Sequence, residues 1–371
     1  MWLYLVLLAA PVAAAIAGRL TRRGAAWTWL AILAALFLFV GFRRQIGCDW
    51  NNYLLYLNRA AELPLLQAVA LSDPGYMLLN WIAPRLGLGL WAVYAVCAAL
   101  LVAGLVQVAR REPLPALALL AATPVLVMIV GFGPVRQSAA IGLLLLSLPL
   151  WESGRKYLAA ALILAAPLFH WTAFMVIPLI PLMTMRRSFA TWQMAGAGLA
   201  LGALAAAAHW ALPGIAGMGD AQGAWLRMAP ALFALAAALW LSSRGGRSQE
   251  EERIFGYLAL LTTLGLVSGL GSTVTLDRIA YLALPLQVMA ISRAVAALPA
   301  GWRRPGWAAV AAFYLVFFAG WLAFTTQKQC FLPYRSYLAD TEYLIRQAPE
   351  PYWLGEGLGG YHPGLEHPGR K

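Results

Sequence analysis

The chain has 371 residues, of which 62% are apolar and 11% charged, and its formal net charge is +12. A soluble globular domain is usually about 45–50% apolar and about 25% charged, so the composition excludes that class and points to a membrane protein. At about 20 apolar residues per spanning helix there is material for about a dozen spans and none for a large soluble domain.

Apolar segments run over 2–18, 24–42, 86–108, 114–132, 138–151, 157–169, 171–185, 189–209, 223–242, 254–271, 279–298 and 306–326. The expected fold is therefore all-α and polytopic, with about 12 transmembrane helices. Placing the N-terminus outside makes alternate loops cytoplasmic. Those loops carry Arg19, Arg22 and Arg23; Arg110 and Arg111; Arg155 and Lys156; Arg186 and Arg187; Arg244, Arg247 and Arg253; and Arg303 and Arg304. Each is basic, as the positive-inside rule requires, and both termini then lie on the outer face. The first segment lacks a basic leader, its charge following the apolar run, so it reads as a retained helix rather than a signal peptide. The three segments between Ser138 and Met185 are short for a layer about 30 Å thick, which predicts half-buried, kinked or re-entrant pieces. Residues 75–84 add an amphipathic piece before Arg85.

No internal repeat or inverted duplication is visible, so residues 1–326 read as one membrane domain with an outer loop over about 43–85. Residues 327–371 carry Pro333, Pro349, Pro351, Pro363 and Pro368 and read as an outer-face tail, partly disordered. No two of Cys48, Cys97 and Cys330 have metal-ligand or redox spacing, and no metal site is expected. Cys48 and Cys330 share the outer face, where disulfides persist. Separate thiols are their plainer state, and a bridge requires the loop and the tail to meet in space.

Charge that the positive-inside rule does not explain collects on the outer side: Arg43, Arg44 and Asp49 after the second segment; Asp73 in Asp-Pro-Gly-Tyr; Arg136 and Gln137 at the start of the fifth; His170 between two short segments; Asp277 and Arg278, with Tyr281 one turn on. Ionisable groups at membrane depth are costly and tend to be paired or functional. One shared cavity would account for them all. Several fixed cations, a few carboxylates and one imidazole suit an anionic phosphate ligand and proton abstraction from a hydroxyl. Each group also has a plainer reading. Arg43 and Arg44 suit a helix end among lipid headgroups, Asp49 and Asp73-Pro74-Gly75 suit turns, His170 suits a core histidine, and Asp277 with Arg278 suits a local pair. Arg136 has no acid near it in sequence, so it asks for an anionic partner.

The ordered series Arg43-x-x-Ile46-Gly47-x-Asp49-x-x-x-Tyr53, Asp73-Pro74-Gly75-Tyr76, Arg136-Gln137, Phe169-His170, Arg278-x-x-Tyr281 and Pro333-Tyr334 resembles the EpsG-type family of Wzy-like exopolysaccharide and O-antigen polymerases. The family often has Glu where this chain has Asp73. The resemblance implies a GT-C-like membrane glycosyltransferase at the periplasmic face of a bacterial inner membrane. It would polymerise repeat units carried on undecaprenyl diphosphate, surrounded by membrane lipid and served by a chain-length regulator and a flippase, with no nucleic acid, cofactor or metal. Arg43, Arg44, Arg136, Gln137, Arg278, Tyr281, Tyr53, Tyr76 and Tyr334 would bind the diphosphate and sugar, and Asp49, Asp73 or His170 would take the acceptor proton. A lipid-to-acceptor ligase, or a transporter of polysaccharide or lipid-linked sugar, stands as the alternative.

Overall fold

The computed structural model of the chain describes residues 4, 9, 25–185, 189–211, 224–268, 270 and 273–339. Most of the first apolar segment, Arg186 and Arg187, Asp220, the side chain of Asp277 and everything after residue 339 lie outside the described residues.

Among the described residues the fold is all-helical, and the one β-like pairing is an isolated antiparallel bridge between Arg43 and Ser336. In chain order the α-helices are α1 (Ala25–Gly41), α2 (Trp50–Glu62), α3 (Leu65–Val69), α4 (Pro74–Arg85), α5 (Leu90–Ala109), α6 (Pro115–Ala122), α7 (Val135–Glu152), α8 (Lys156–Ala165), α9 (Leu179–Thr184), α10 (Thr191–Ala211), α11 (Ala224–Arg244), α12 (Gln249–Ser268), α13 (Thr273–Leu282), α14 (Leu284–Ala296) and α15 (Ala300–Phe324). α5 and α15 are long and apolar enough to cross a membrane, and the rest of the bundle is compatible with the same setting. Shorter apolar helices cover Ala26–Gly41, Pro115–Val130, Lys156–Leu168, Trp171–Thr184 and Leu284–Ala296.

Three of the expected segments differ in detail. Segment 138–151 is extended by three residues at its start, because Val135, Arg136 and Gln137 are helical and their polar groups find partners. Segment 114–132 changes pitch: α6 passes into a π-helix at Thr123–Val130, with Pro124 at its start. Proline lacks the N–H that an α-helical ladder needs, and widened turns of this kind often sit beside functional sites. Segment 279–298 falls within two helices, α13 and α14, that meet at Ala283 and Pro285. The two short segments around His170 do break: α8 ends in a 3-10 turn at Ala166–Leu168, His170 is extended, and the chain resumes as a 3-10 helix at Trp171–Val176 before α9.

The core is built by α5 packed on α7 and α1, by α6 and the π-helix behind them, and by α11 and α14 against one another, with α10 lying along α12. Apolar burial drives such packing weakly in lipid, where close backbone approach matters more. Gly104 of α5 and Gly142 of α7 supply it. A Cβ on Gly142 would fall 2.5 Å from Leu100 backbone, and one on Gly104 would fall 2.5 Å from the Gly142 carbonyl.

Residues 327–339, within the segment read as a tail, are fastened to the loop before α2. Arg44 N–H donates to the Arg335 carbonyl, Gly47 N–H to that of Cys330, and Tyr337 N–H to that of Phe42. The Tyr334 hydroxyl donates to the Phe39 carbonyl at 2.8 Å while its ring stacks on Phe39. Cys48 and Cys330 form a disulfide across 282 positions, against the plainer expectation of separate thiols. These bonds supply the spatial meeting that the sequence left open.

Candidate active site

A cavity of about 270 Å³ opens where α2, the start of α7, the His170 break, α11, α13 and the C-terminal segment converge. Each wall follows from local sequence. Gly47 has φ +98°, and a Cβ there would lie 2.1 Å from the Phe132 carbonyl. Only glycine lets the loop pass that close. The turn delivers Cys48 to the rim and Asp49 to the N-cap of α2, from which Asp49, Asn52, Tyr53 and Tyr56 present one helical face to the cavity. The Tyr53 hydroxyl donates to the Gly133 carbonyl at 3.3 Å, which joins that face to the turn before α7. Burial pushes the Tyr53 phenol above its usual range, so it stays a neutral donor.

Arg136 and Gln137 enter from the first turn of α7. Arg136 Nη1 meets Asp73 Oδ2 at 2.7 Å and Ser72 Oγ at 2.5 Å, and its guanidinium lies 5.4 Å from the Tyr56 ring centre. Asp73 holds the N-cap position of α4, yet its carboxylate makes no capping bond. Its second oxygen accepts the Trp171 N–H at 3.0 Å, so one carboxylate ties the start of α7 to the turn at His170. Burial raises the Asp73 carboxyl above its ordinary value, outweighing the opposing pull of Arg136 and of the Trp171 N–H. Gln137 Nε2 donates to the Arg278 carbonyl at 2.6 Å and fixes α7 to α13, from which Arg278 and Tyr281, one turn apart, also line the cavity. His170 is 7% exposed, and its Nδ1 is buried without a hydrogen-bond partner.

A family model described as the EpsG family matches residues 26–336. The chain belongs to the EpsG family. Nothing among the curated proteins or the solved structures matches it.

Of the residues singled out in this EpsG-family sequence, Asp49, Tyr53, Arg136, Gln137, His170, Arg278 and Tyr281 line the one cavity. The others stand behind it. Arg43 is fully buried, with Nη1 donating to the Val40 carbonyl at 2.6 Å, Nε to the Phe132 carbonyl at 3.3 Å, and its guanidinium 4.3 Å from the Tyr94 ring centre. It braces the loop from within and does not reach the cavity. Arg44 is buried beside the C-terminal segment. Tyr76 is wholly buried with its ring against Tyr53 and Tyr56, and Tyr334 is spent on Phe39. Asp73 is one step removed: both its oxygens are engaged, one by Arg136 and one by Trp171 N–H.

The structure also supplies the anionic partner that Arg136 lacks nearby in sequence, 63 positions away in Asp73. Arg227, near the start of α11, lines the cavity and was not singled out, nor were Asn52, Tyr56 and Gln327. An arginine in the first turn of a mostly apolar helix is the one sequence signal that could have pointed to Arg227. Among the described residues, no three His, Cys, Asp or Glu side chains gather as metal ligands would.

Proposed function

We propose that this EpsG-family chain is a membrane glycosyltransferase that polymerises lipid-diphosphate-linked oligosaccharide repeats, with undecaprenyl diphosphate as the carrier. The observation that carries the reading is the convergence of Arg136, Arg227, Arg278, Asp49 and His170 on one cavity, from segments spread over most of the chain. The Cys48–Cys330 bond supports an oxidising location for that cavity, hence the periplasmic face of a bacterial inner membrane with both termini outside. A single membrane domain of GT-C-like architecture accommodates this arrangement.

The reaction breaks the bond between the anomeric carbon and the diphosphate oxygen, and the electron pair leaves on the diphosphate. The guanidiniums of Arg136 and Arg278 meet that growing charge as fixed, preorganised donors. Arginine suits the task because its charge is permanent and its donors form a planar fork, so the proposed chemistry needs no metal. The acceptor hydroxyl of the incoming repeat attacks the anomeric carbon and gives its proton to His170, the imidazole that lines the cavity. Asp73 acts through Arg136 as a positioning residue. The tyrosines on the α2 face, Tyr53 and Tyr56, offer flat surfaces and hydroxyls for sugar.

The test is turnover by purified protein in nanodiscs supplied with lipid-diphosphate-linked repeats and a chelator. A ladder of longer lipid-linked glycans, lost by about 10²–10³-fold in His170→Gln, is the expected result. No ladder from folded wild-type protein with its cognate substrate contradicts polymerisation and leaves a ligase or a transporter.

A further inference from the structure

A second hollow, which the proposed reaction does not use, lies between α11, α14 and α15 as a groove of about 320 Å³. It sits toward the Arg244 end of α11 and the Ala300 end of α15. The candidate active site takes Arg227 from the opposite end of α11 and Gln327 from just beyond the opposite end of α15. The groove exists because facing positions are small: Ala236 and Ala237 on α11, Ala294 on α14, and Gly306 and Ala309 on α15. Ile291, Val295 and Val310 are buried as its floor, while Ala236 and Ala309 are exposed at its mouth. Every lining residue is apolar.

The two ends of the groove differ. At the inner end the Phe233 ring meets Phe313, with ring centres 4.5 Å apart, and closes the slot. The outer end is cationic. Arg244, in the last turn of α11, holds its guanidinium 4.9 Å from the ring centre of Trp240, which lines the groove. Arg303 Nε donates to the carbonyl of Leu298, another lining residue, at 3.0 Å. Among the described residues neither guanidinium pairs with a carboxylate, and the nearby Glu251 and Glu252 are taken by Arg293 and Arg247. Arg303 stands near the start of α15, where the helix dipole disfavours a cation, so its own helix gives no reason for it. Trp302 beside it is 67% exposed, as suits an aromatic side chain at headgroup level.

Phe233 to Trp240 covers about 10 Å of helix, against a hydrocarbon layer about 30 Å thick. The slot therefore ends within one leaflet. A blind apolar slot of that depth with two arginines at its mouth has the form of an acyl chain beneath a phosphate.

We propose that this groove binds one anionic phospholipid of the cytoplasmic leaflet, with an acyl chain between α11, α14 and α15 and the phosphate on Arg244 and Arg303. The assignment does not depend on the polymerase reading. It takes only the leaflet from the orientation proposed above, and binding in detergent is independent of orientation.

The experiment titrates delipidated full-length protein in detergent with phosphatidylglycerol, or with phosphatidylcholine of the same acyl chains. Bound lipid is counted by native mass spectrometry, with a thermal melt for each variant. One phosphatidylglycerol binds per chain about tenfold more tightly than phosphatidylcholine, the order of preference that two cations near a lipid phosphate supply. Arg244→Ala with Arg303→Ala removes the preference, and lysine at both positions restores part of it. Arg155→Ala with Lys156→Ala, which takes the same charge from another loop of that face, leaves it intact. Ala309→Phe, which narrows the groove, weakens both lipids and keeps the preference. Equal binding of the two lipids by wild type overturns the assignment, as does an equal loss in the Arg155 and Lys156 variant, which would mark diffuse attraction. Undecaprenyl phosphate that displaces phosphatidylglycerol one for one and still binds the double-arginine variant gives the groove to a carrier chain. A dimer that dissociates in Ala309→Phe gives it to a second copy. Either result also overturns the assignment.

Discussion

The two ends of the helical bundle handle charge differently. Away from the cavity, Arg293 in the last turn of α14 closes a bidentate pair on Glu112, just past α5, with both bonds at 2.8 Å, and adds Glu251 of α12 at 2.7 Å. Beside it Glu252 accepts from Arg247, Thr191 N–H, Thr191 Oγ1 and Ser242 Oγ, all at 2.7–2.8 Å. The carboxylates here are engaged by protein donors, while Arg247 Nε and Nη1 are buried without partners. At the cavity end the Arg136–Asp73 pair stands beside His170, whose Nδ1 has no partner, and beside Arg227 and Arg278, which line the cavity. The contrast separates two settings of buried charge: one ties helices to one another, and the other lines a cavity, which under the proposed function takes a ligand.

The carboxylates show the same contrast. Burial tends to raise both Glu252 and Asp73, but three hydrogen bonds, from Ser242 Oγ and from Thr191 N–H and Oγ1, together with the Arg247 charge bring Glu252 below its ordinary value. At Asp73 burial wins and the carboxyl is raised.

The largest expected effect is at the cavity. Arg136→Ala lowers turnover about 10³-fold, in the range seen when a donor to developing negative charge is removed, measured as glycan ladder per folded molecule. Next is the opposite end. Glu112→Ala leaves Arg293 without its bidentate partner and lowers unfolding free energy by about 3 kcal/mol, read from denaturation in detergent, while turnover per folded molecule is unchanged.

A third prediction uses the raised Asp73 carboxyl. Turnover falls as pH drops through a value above the ordinary 3.8, because protonation removes the charge that holds Arg136. The stability term has the opposite sign: a raised folded-state value favours the neutral acid, so this contribution is present at low pH and is lost as pH rises through that value. Asp73→Asn removes this acid limb from the pH–rate profile and lowers turnover about tenfold, by positioning alone.

The smallest effect is at Glu252, whose lowered value gives the opposite linkage. Its contribution persists at neutral pH and is lost as pH falls through a value below the ordinary 4.5. Glu252→Gln costs about 1 kcal/mol at pH 7 and shrinks the difference from wild type as the solution is acidified.

Hydropathy made the helices legible, since an apolar run of helical length has few other fates in a chain this poor in charge. It did not show where they change pitch. The π-helix at Thr123–Val130 and the break at Ala283 depend on Pro124, Pro285 and tertiary neighbours, and a moving average hides them. Within the site, charge that topology left unexplained led to Arg136, His170 and Arg278, which meet in space. Composition offered no way to divide that group. Arg43 and Arg136 look alike as sequence, yet one is held behind the cavity by the carbonyls of Val40 and Phe132 and the other faces the cavity. The Asp73 partnership spans 63 positions and the disulfide 282, distances at which local pattern carries no pairing information. Arg227 was hidden because the apolar residues of α11 outweigh it.

The most direct measurement compares the two ends in one assay: turnover of lipid-diphosphate-linked repeats per folded molecule for wild type, Arg136→Ala and Glu112→Ala in identical nanodiscs. The expected result is a ladder from wild type and Glu112→Ala and none from Arg136→Ala. A ladder retained in Arg136→Ala, or lost in folded Glu112→Ala, contradicts the division of labour between the cavity and the ion-pair network.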